Sequence, residues 1–176
     1  MAAVQHEPLN TNRAGKNHRQ KNDPGTIFHF WLQRDSQRTK LYYAEHDMHY
    51  TGESARDLPR DLQLAADIVF SQLEERLPTY LMVNYFRPDI IREPRLSRGA
   101  ADYHPRAGIR LGAEAKLWAM VHEFAHHVTE CAVQGKHACH GVEFRRTLLL
   151  CAEALWGSGY ETDQLRSGYR KYNLKY

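Results

Sequence analysis

The sequence has few of the features that mark secreted or membrane-embedded proteins. Its 176 residues include three cysteines, Cys131, Cys139 and Cys151, with no CxxC pair. An odd set at such spacing indicates reduced thiols rather than a disulfide framework. No segment approaches the ~18 consecutive apolar residues of a transmembrane helix, and the N-terminus has no apolar stretch that could serve as a secretory signal. We therefore predict a cytoplasmic protein without membrane contact.

Charge and length narrow the class of protein further. The 24 Lys and Arg residues stand against 21 Asp and Glu residues, for a net charge of +3. This excess is too small to indicate nucleic-acid binding, although a local basic patch stays open. The length fits one domain with its own core, and a hydrophobic content of 42% supports a globular body. These quantities say nothing about the oligomeric state.

The first 25 residues differ in composition from the rest of the chain. They are rich in Asn, Gln, His, Lys and Arg, and such a segment cannot bury enough apolar surface to offset the entropy lost on ordering. We predict a disordered polar tail over residues 1–25 and one folded domain over residues 26–176. A role of the tail in docking a protein or a nucleic acid is the alternative.

Local patterns predict a mixture of helices and strands. Apolar residues at helical spacing predict a helix over residues 58–77, with Asp57 as its N-cap and Pro78 as its stop. A second helix is predicted over residues 113–132, and a short amphipathic helix or tail over residues 161–176. Aromatic and β-branched runs predict strands, of which the first two would form a hairpin. These strands are residues 27–33, 39–45, 80–86, 100–104 and 109–111.

The pentapeptide His122-Glu123-Phe124-Ala125-His126 has the minimal parts of a hydrolytic zinc site. Two histidines four residues apart lie on the same face of a helix. Zinc takes neutral imidazole nitrogens in a tetrahedral shell that leaves one position for water. Glu123, about 100° around the helix, can reach that water as a general base. A chain of this composition would contain about 0.05 such pentapeptides by chance, so the surrounding sequence must decide between a metal site and a solvated helix face.

The surrounding sequence favours the metal site. Residues 113–132 contain no Gly or Pro, and their apolar side chains cluster opposite the two histidines. The histidine side has small residues that would leave room for a metal and a substrate, namely Ala115, Ala119 and Thr129. Beyond Gly135, the segment His140-Gly141-Val142-Glu143-Phe144 begins a second apolar-periodic stretch, so that His140 would lie at the start of a helix.

The order of helix, strands, HEFAH, short linker and HGVEF resembles the SprT-like zinc metallopeptidases of the zincin superfamily, over roughly residues 58–157. The resemblance implies that His122, His126 and His140 bind Zn²⁺ and that Glu123 activates water. It also implies a single-domain, minimal zincin-like α+β fold, with a small, mostly antiparallel sheet packed on helices that include the HExxH helix. A weaker similarity to uncharacterised actinobacterial HExxH metallohydrolases does not indicate a substrate.

These expectations lead to one hypothesis and two alternatives. The hypothesis is a zinc-dependent hydrolase, a metallopeptidase in which Glu123 activates a zinc-bound water and a protein or peptide is the substrate. A strand beside the metal helix could offer its free edge to an extended peptide. One alternative is a non-catalytic, zinc-stabilised module that docks a protein or nucleic acid, although no dedicated nucleic-acid motif is present. The other is a metallohydrolase acting on a non-peptide bond.

Other polar residues near these motifs are assigned lesser roles. His127 lies about 140° around the helix from His122, so we predict that it packs at the edge of the core. Glu143 is the alternative third ligand, although an N-terminal cap or an outer-shell role fits its position better. A separate soft metal site could combine Cys131, His137 and Cys139. The candidates for stabilising an oxyanion, by polarity and position, are Tyr103, His104 and Tyr160.

Overall fold

Helices pack on a short sheet in an α+β arrangement. The computed structural model describes residues 37–134 and 137–176. Within these residues there are five α-helices and one three-stranded sheet, which confirms the predicted fold class. The predicted tail over residues 1–25 and the predicted strand over residues 27–33 lie outside the described residues.

The elements follow one another in the order helix, helix, three strands, helix, helix, helix. The helices are α1 (Arg38–Ala44), α2 (Leu62–Arg76), α3 (Leu117–Val133), α4 (Val142–Trp156) and α5 (Tyr160–Lys171). The strands are β1 (Ile90–Arg92), β2 (Ala101–His104) and β3 (Gly108–Leu111). Short 3₁₀ turns occur at His46–His49, Glu53–Ala55 and Thr79–Leu81. None of the helices described is long and apolar enough to cross a membrane.

Helix α3 carries the HEFAH segment through the centre of the domain. Every residue from Leu117 to Thr129 is buried, so the side that bears the histidines is covered by packing rather than left open. On the other side, the ring of Phe124 lies 4.6 Å from that of Phe70 in α2. The helix begins later than predicted because Lys116 forms a bridge with Asp57 in extended conformation.

The sheet places an edge strand beside α3. Strand β3 is central and pairs in parallel with β1 and antiparallel with β2. The strands predicted over residues 100–104 and 109–111 are confirmed as β2 and β3, and they pair as a hairpin. Its turn needs Gly108, because φ is +74° there and an added Cβ would lie 2.3 Å from the Asp89 carbonyl oxygen. Strand β2 packs against α3 and has no strand on its outer side among the residues described, as the peptide-docking hypothesis requires.

The strand predicted over residues 39–45 is wrong, because these residues form α1 and its C-terminal end. The aromatic pair Tyr42 and Tyr43 suggested a strand, but both side chains are more than one-third exposed. The buried positions are instead Leu41 and Ala44, whose spacing of three residues matches one face of a helix. The hairpin predicted with residues 27–33 therefore does not form from this segment.

Two further local predictions are wrong. Helix α2 begins at Leu62 and not at residue 58, since its cap is Asp61, whose Oδ1 accepts a hydrogen bond from the Leu64 N–H at 3.0 Å. Asp57, the predicted cap, is paired with Lys116. Residues 80–86 form a turn and a loop. Three of their six apolar side chains are exposed, and no neighbouring strand pairs with them in the described region. Strand β1 was not predicted.

Helix α1 is held in place by a close approach to α5. An added Cβ at Gly168 of α5 would lie 2.4 Å from the carbonyl oxygen of Ala44, so only glycine allows the two helices to pack at this distance. Helix α5 confirms the predicted C-terminal helix, and it buries Leu165 and Tyr169. The residue that follows Ala44 is Glu45, so the packing of α1 on α5 fixes the position of that side chain.

Candidate metal centre

Three buried imidazoles converge at one point. His122 and His126 lie on α3, and His140 lies in the turn that precedes α4. One ligand atom from each is within 4.8 Å of the others, and the Nε2 atoms of His126 and His140 are 3.1 Å apart. The three residues are 6%, 9% and 5% exposed, respectively. The structure thus brings together the three predicted ligands, and this buried group could hold a metal ion.

The His126 imidazole is in the protonation state that a metal ion needs. Burial, followed by the neighbouring His122 and His140, holds the pKa of His126 well below its usual value. The ring is therefore neutral near neutral pH, and neutral imidazole is the form that coordinates a metal.

His122 is oriented by a buried carboxylate from α1. Its Nδ1–H donates to Glu45 Oε2 at 2.9 Å, and the indole N–H of Trp118 donates to the same oxygen at 3.1 Å. This bond leaves Nε2 of His122 to face the other two histidines. Burial lowers the pKa of His122, but the charge and hydrogen bond of Glu45 outweigh burial and raise it to about 9. A carboxylate in this position fixes the ring orientation of a metal-binding histidine and raises its basicity.

Phe144 packs against all three imidazoles. Its fully buried ring stacks on that of His126 with 4.0 Å between centroids. The distances to the rings of His122 and His140 are 5.0 and 5.1 Å. Phe144 lies in the first turn of α4, soon after His140 in sequence. Its ring therefore restricts the rotamers of His122 and His126 as well.

Glu123 lies beside the three histidines without joining them. Burial raises the pKa of its carboxyl to about 7, against the opposing charge of His122. Asp102 also raises this pKa, whereas the backbone N–H of Tyr103 lowers it, so Glu123 is on the side of α3 that meets strand β2. A carboxyl that titrates near neutral pH can both accept and return a proton.

Tyr42 on α1 lies between two of the histidines and solvent. Its ring centroid is 5.7 Å from that of His140 and 6.2 Å from that of His122, yet the residue is 43% exposed. The hydroxyl accepts a hydrogen bond from Arg38 Nε at 3.0 Å. Burial raises the pKa of Tyr42, so the hydroxyl keeps its proton and can donate it in a hydrogen bond.

His127 is a packing residue, as predicted. Its Nε2–H donates to the Phe86 carbonyl at 2.6 Å, and its Nδ1 pairs with the Tyr103 hydroxyl at 3.2 Å. The rings of Tyr85, Phe86 and Tyr103 surround it edge-on. Both nitrogens are therefore occupied within the core.

The alternative ligands do not join the three histidines. Glu143, the alternative third ligand, is exposed and is not part of the cluster. In the described part of the chain the histidine group is the one metal-capable cluster found, so Cys131, His137 and Cys139 do not assemble the separate soft site that was considered.

The proposed oxyanion donors are engaged elsewhere. The Tyr103 hydroxyl bonds to His127, and the Tyr160 hydroxyl pairs with Thr51 at 3.1 Å. Nδ1 of His104 accepts the Arg106 N–H at 3.2 Å. None of these three contacts involves a residue of the histidine cluster.

The sequence reasoning missed Glu45 and Tyr42 because α1 was interpreted as a strand. A strand would have placed these two residues, three apart, on opposite faces. A helix brings positions i and i+3 to the same side, and both side chains do lie at the histidines. The available signal was therefore the helical spacing of Leu41, Ala44 and Glu45, all of which are buried.

Comparison with known proteins does not identify a family for this chain. Against protein-family models, curated proteins and solved structures, the chain has no match. The function must therefore be inferred from the geometry and chemistry of the histidine cluster.

Proposed function

We propose that the protein is a zinc-dependent hydrolase, and more specifically a metallopeptidase, with His122, His126 and His140 as the zinc ligands. The observation that carries this proposal is a buried carboxyl, Glu123, beside three convergent imidazoles and outside their cluster. Structural zinc sites have four protein ligands, whereas catalytic sites have three and keep one position for water or substrate. Three histidines with an adjacent base match the catalytic type.

The donor set and spacing support zinc as the ion. Imidazole nitrogens suit zinc, copper, iron and nickel, whereas calcium and magnesium prefer oxygen ligands. Two nitrogens bound to a tetrahedral zinc ion lie about 3.3 Å apart, and the Nε2 atoms of His126 and His140 are 3.1 Å apart. The resemblance of HEFAH and HGVEF to the SprT-like metallopeptidases agrees with the same choice.

The chain's own residues can perform the proton transfers of peptide hydrolysis. A bound zinc ion would supply Lewis acidity and lower the pKa of a coordinated water toward ~7. Glu123 takes a proton from the attacking water and passes it to the leaving amine nitrogen, two tasks that suit a pKa of about 7. Glu45 keeps the His122 ring in one orientation throughout.

Tyr42 is the side chain best placed to stabilise the developing oxyanion. It is next to two of the three histidines and is open to solvent on its other side. Because Arg38 donates to the Tyr42 oxygen, the O–H remains available to donate toward a substrate. Hydrogen-bond donors fixed where negative charge develops lower the barrier of acyl transfer.

Strand β2 supports a peptide as the substrate. The Ile109 N–H donates to the Asp89 carbonyl, which lies on the β1 side of β3. Ile109 therefore forms a non-hydrogen-bonded pair with Tyr103 of β2, and the peptide groups of Tyr103 point away from β3. The same alternation turns the peptide groups of Ala101 outward. The Tyr103 N–H is already bonded to Glu123. An extended chain could therefore form main-chain hydrogen bonds with Ala101 and with the Tyr103 carbonyl at the edge beside Glu123, largely independent of its sequence.

The proposal is tested by comparing wild-type protein with Glu123→Gln on a library of unstructured peptides, with cleavage read by mass spectrometry. Wild-type protein loaded with zinc should cleave and lose cleavage when a chelator is added. Glu123→Gln should keep its zinc and lose about 10²–10⁴-fold in rate. Glu130→Gln, on the same helix but half-buried, serves as the matched control and should cleave normally.

Two outcomes would contradict the proposal. Cleavage by Glu123→Gln at the wild-type rate would remove the general base from the mechanism. Stoichiometric zinc binding without cleavage of any peptide would favour the non-catalytic docking module or a hydrolase of another bond.

A further inference from the structure

Arg145 is a buried cation whose hydrogen bonds go to backbone carbonyls. It lies in α4 and is 2% exposed. Its Nη1 donates to the His140 carbonyl oxygen and its Nε donates to the Lys175 carbonyl oxygen, each at 2.7 Å. Burial lowers the pKa of Arg145. Transfer of a guanidinium from water to the protein interior is unfavourable for folding. A role of Arg145 at the residues it contacts would explain why this charge is buried.

The second acceptor belongs to a C-terminal turn, residues 172–176, that folds back on the domain. Leu174 is buried, and its N–H bonds to the Tyr169 carbonyl at 2.8 Å. Tyr169 is fully buried on α5, and its hydroxyl donates to the Arg145 carbonyl oxygen at 3.4 Å. The C-terminal turn and Arg145 are thus packed as one unit.

The first acceptor is the peptide group of the third histidine. His122 and His126 are fixed by the backbone hydrogen bonds of α3, but His140 precedes α4 in a turn. A ligand outside regular structure needs another constraint if its ring is to stay aimed at the metal. The guanidinium of Arg145 supplies this constraint, because it hydrogen-bonds to His140 and to the C-terminal turn at the same time.

We propose that Arg145 is a positioning residue for the metal centre, through which the C-terminal turn sets the affinity of the site for zinc. The guanidinium geometry is essential, because one planar group must span two carbonyl oxygens in different directions. A lysine ammonium at the end of a flexible chain cannot reproduce this fork. The inference depends on the metal centre and not on hydrolysis, so it can be tested without a substrate.

The test measures zinc affinity by competition with a chromophoric chelator. Arg145→Lys should weaken zinc binding by about 10- to 100-fold, the loss typical of outer-shell partners of metal ligands. Arg146→Lys is the matched control, since Arg146 is the adjacent residue and is exposed, and it should bind zinc as wild type does. Failure of wild-type protein to bind zinc would refute the metal centre itself, a result separate from any effect of Arg145.

Cobalt substitution distinguishes positioning from general destabilisation. With saturating Co²⁺, Arg145→Lys should show a weaker visible absorption than wild type, since displacement of His140 distorts the tetrahedral ligand field. A residue that only stabilised the fold would lower the melting temperature and leave the spectrum of the loaded protein unchanged. Wild-type affinity together with a wild-type cobalt spectrum in Arg145→Lys would overturn the proposal.

A deletion of residues 174–176 tests the contact between Arg145 and the C-terminal turn. It also keeps the proposal testable if Arg145→Lys does not fold. It removes the Lys175 acceptor while leaving Arg145 and His140 in place. Zinc affinity should fall in the same direction as in Arg145→Lys. Unchanged affinity in the folded deletion variant would show that the C-terminal turn does not act on the site.

Discussion

Glu45 Oε2 accepts a hydrogen bond from His122 Nδ1 at 2.9 Å, although 77 positions separate the two residues. The carboxylate is buried, and its other oxygen, Oε1, has no hydrogen-bond partner among the residues described. Burying a charged group with incomplete hydrogen bonding is unfavourable for folding. The buried position of Glu45 is explained by its effect on His122, whose ring it orients and whose basicity it raises at a cost in folding stability.

The first prediction concerns this carboxylate. Glu45→Gln keeps the shape of the side chain but removes the charge. Above about pH 9, where a proton no longer competes for His122 in either protein, zinc affinity should fall by about 10- to 100-fold. Competition titration against a chelator measures the change. Glu161→Gln is the control, because Glu161 is another buried carboxylate but accepts from the Glu53 N–H instead of a histidine. Equal zinc affinities in the two variants would contradict the role of Glu45.

The second prediction concerns protons released on zinc binding. In the metal-free protein the pKa of His122 is about 9, so the ring is protonated near neutral pH and must lose that proton to coordinate. Near pH 7, binding should release about one proton, and affinity should rise as the pH is raised toward about 9.

Calorimetry in buffers of different ionisation enthalpy counts these protons, with Glu123→Gln as the background so that the Glu123 carboxyl does not contribute. Adding Glu45→Gln should reduce the number released, because burial then acts on His122 without the opposing carboxylate. The same number in both proteins would show that Glu45 does not hold the proton on His122.

The HEFAH helix could be predicted from sequence because its signals are local. Apolar periodicity and the i, i+4 spacing of His122 and His126 depend only on neighbours within a few turns. The β2–β3 hairpin was predictable for the same reason, since Gly108 marks its turn. These elements hold two of the three histidines and the strand beside them.

The contacts made by α1 could not be predicted in this way. This helix is two turns long, and its aromatic residues favour a strand by propensity. Its helical conformation agrees with tertiary packing, in which Ala44 rests against Gly168. Since local propensity is readily overridden by such packing, the position of Glu45 at His122 emerges only from the folded chain.

The third prediction separates His140 from its nearest alternatives. His140→Ala should weaken zinc binding severely, because it removes one of three convergent nitrogens. His137→Ala and Glu143→Ala should have little effect, since neither residue belongs to the cluster. Zinc content after dialysis compares the three variants. A loss in Glu143→Ala that equals the loss in His140→Ala would instead support a carboxylate third ligand.

The fourth prediction tests whether α1 must pack closely on α5 for the metal site to form. An added methyl group at Gly168 would meet the Ala44 carbonyl at 2.4 Å, so Gly168→Ala should destabilise the fold by about 1–3 kcal/mol through overpacking. Displacement of α1 should also weaken zinc binding, because Glu45 moves with it. Gly99→Ala is the control, since an added Cβ there has no heavy atom within 4 Å. A normal melting temperature and normal zinc affinity in Gly168→Ala would show that this contact does not hold α1.

The fifth prediction concerns Tyr42 as the donor to the oxyanion. Tyr42→Phe keeps the ring beside His122 and His140 and removes only the hydroxyl, so zinc affinity should not change. If the hydroxyl stabilises the transition state, kcat should fall by about 10²-fold, as when one oxyanion donor is removed, while KM changes little. Steady-state kinetics on a peptide cleaved by the wild-type protein measures both constants.

Tyr43→Phe is the matched control for this experiment. Tyr43 is the next residue on α1, but its ring stacks on that of Tyr172 at 5.9 Å. Its hydroxyl should therefore be dispensable for hydrolysis, and kcat should match that of wild type. A kcat in Tyr42→Phe equal to that in Tyr43→Phe would assign oxyanion stabilisation to another group. A rise in KM with an unchanged kcat would instead show that Tyr42 binds the substrate in the ground state, because uniform binding energy affects KM and leaves the chemical step unaltered.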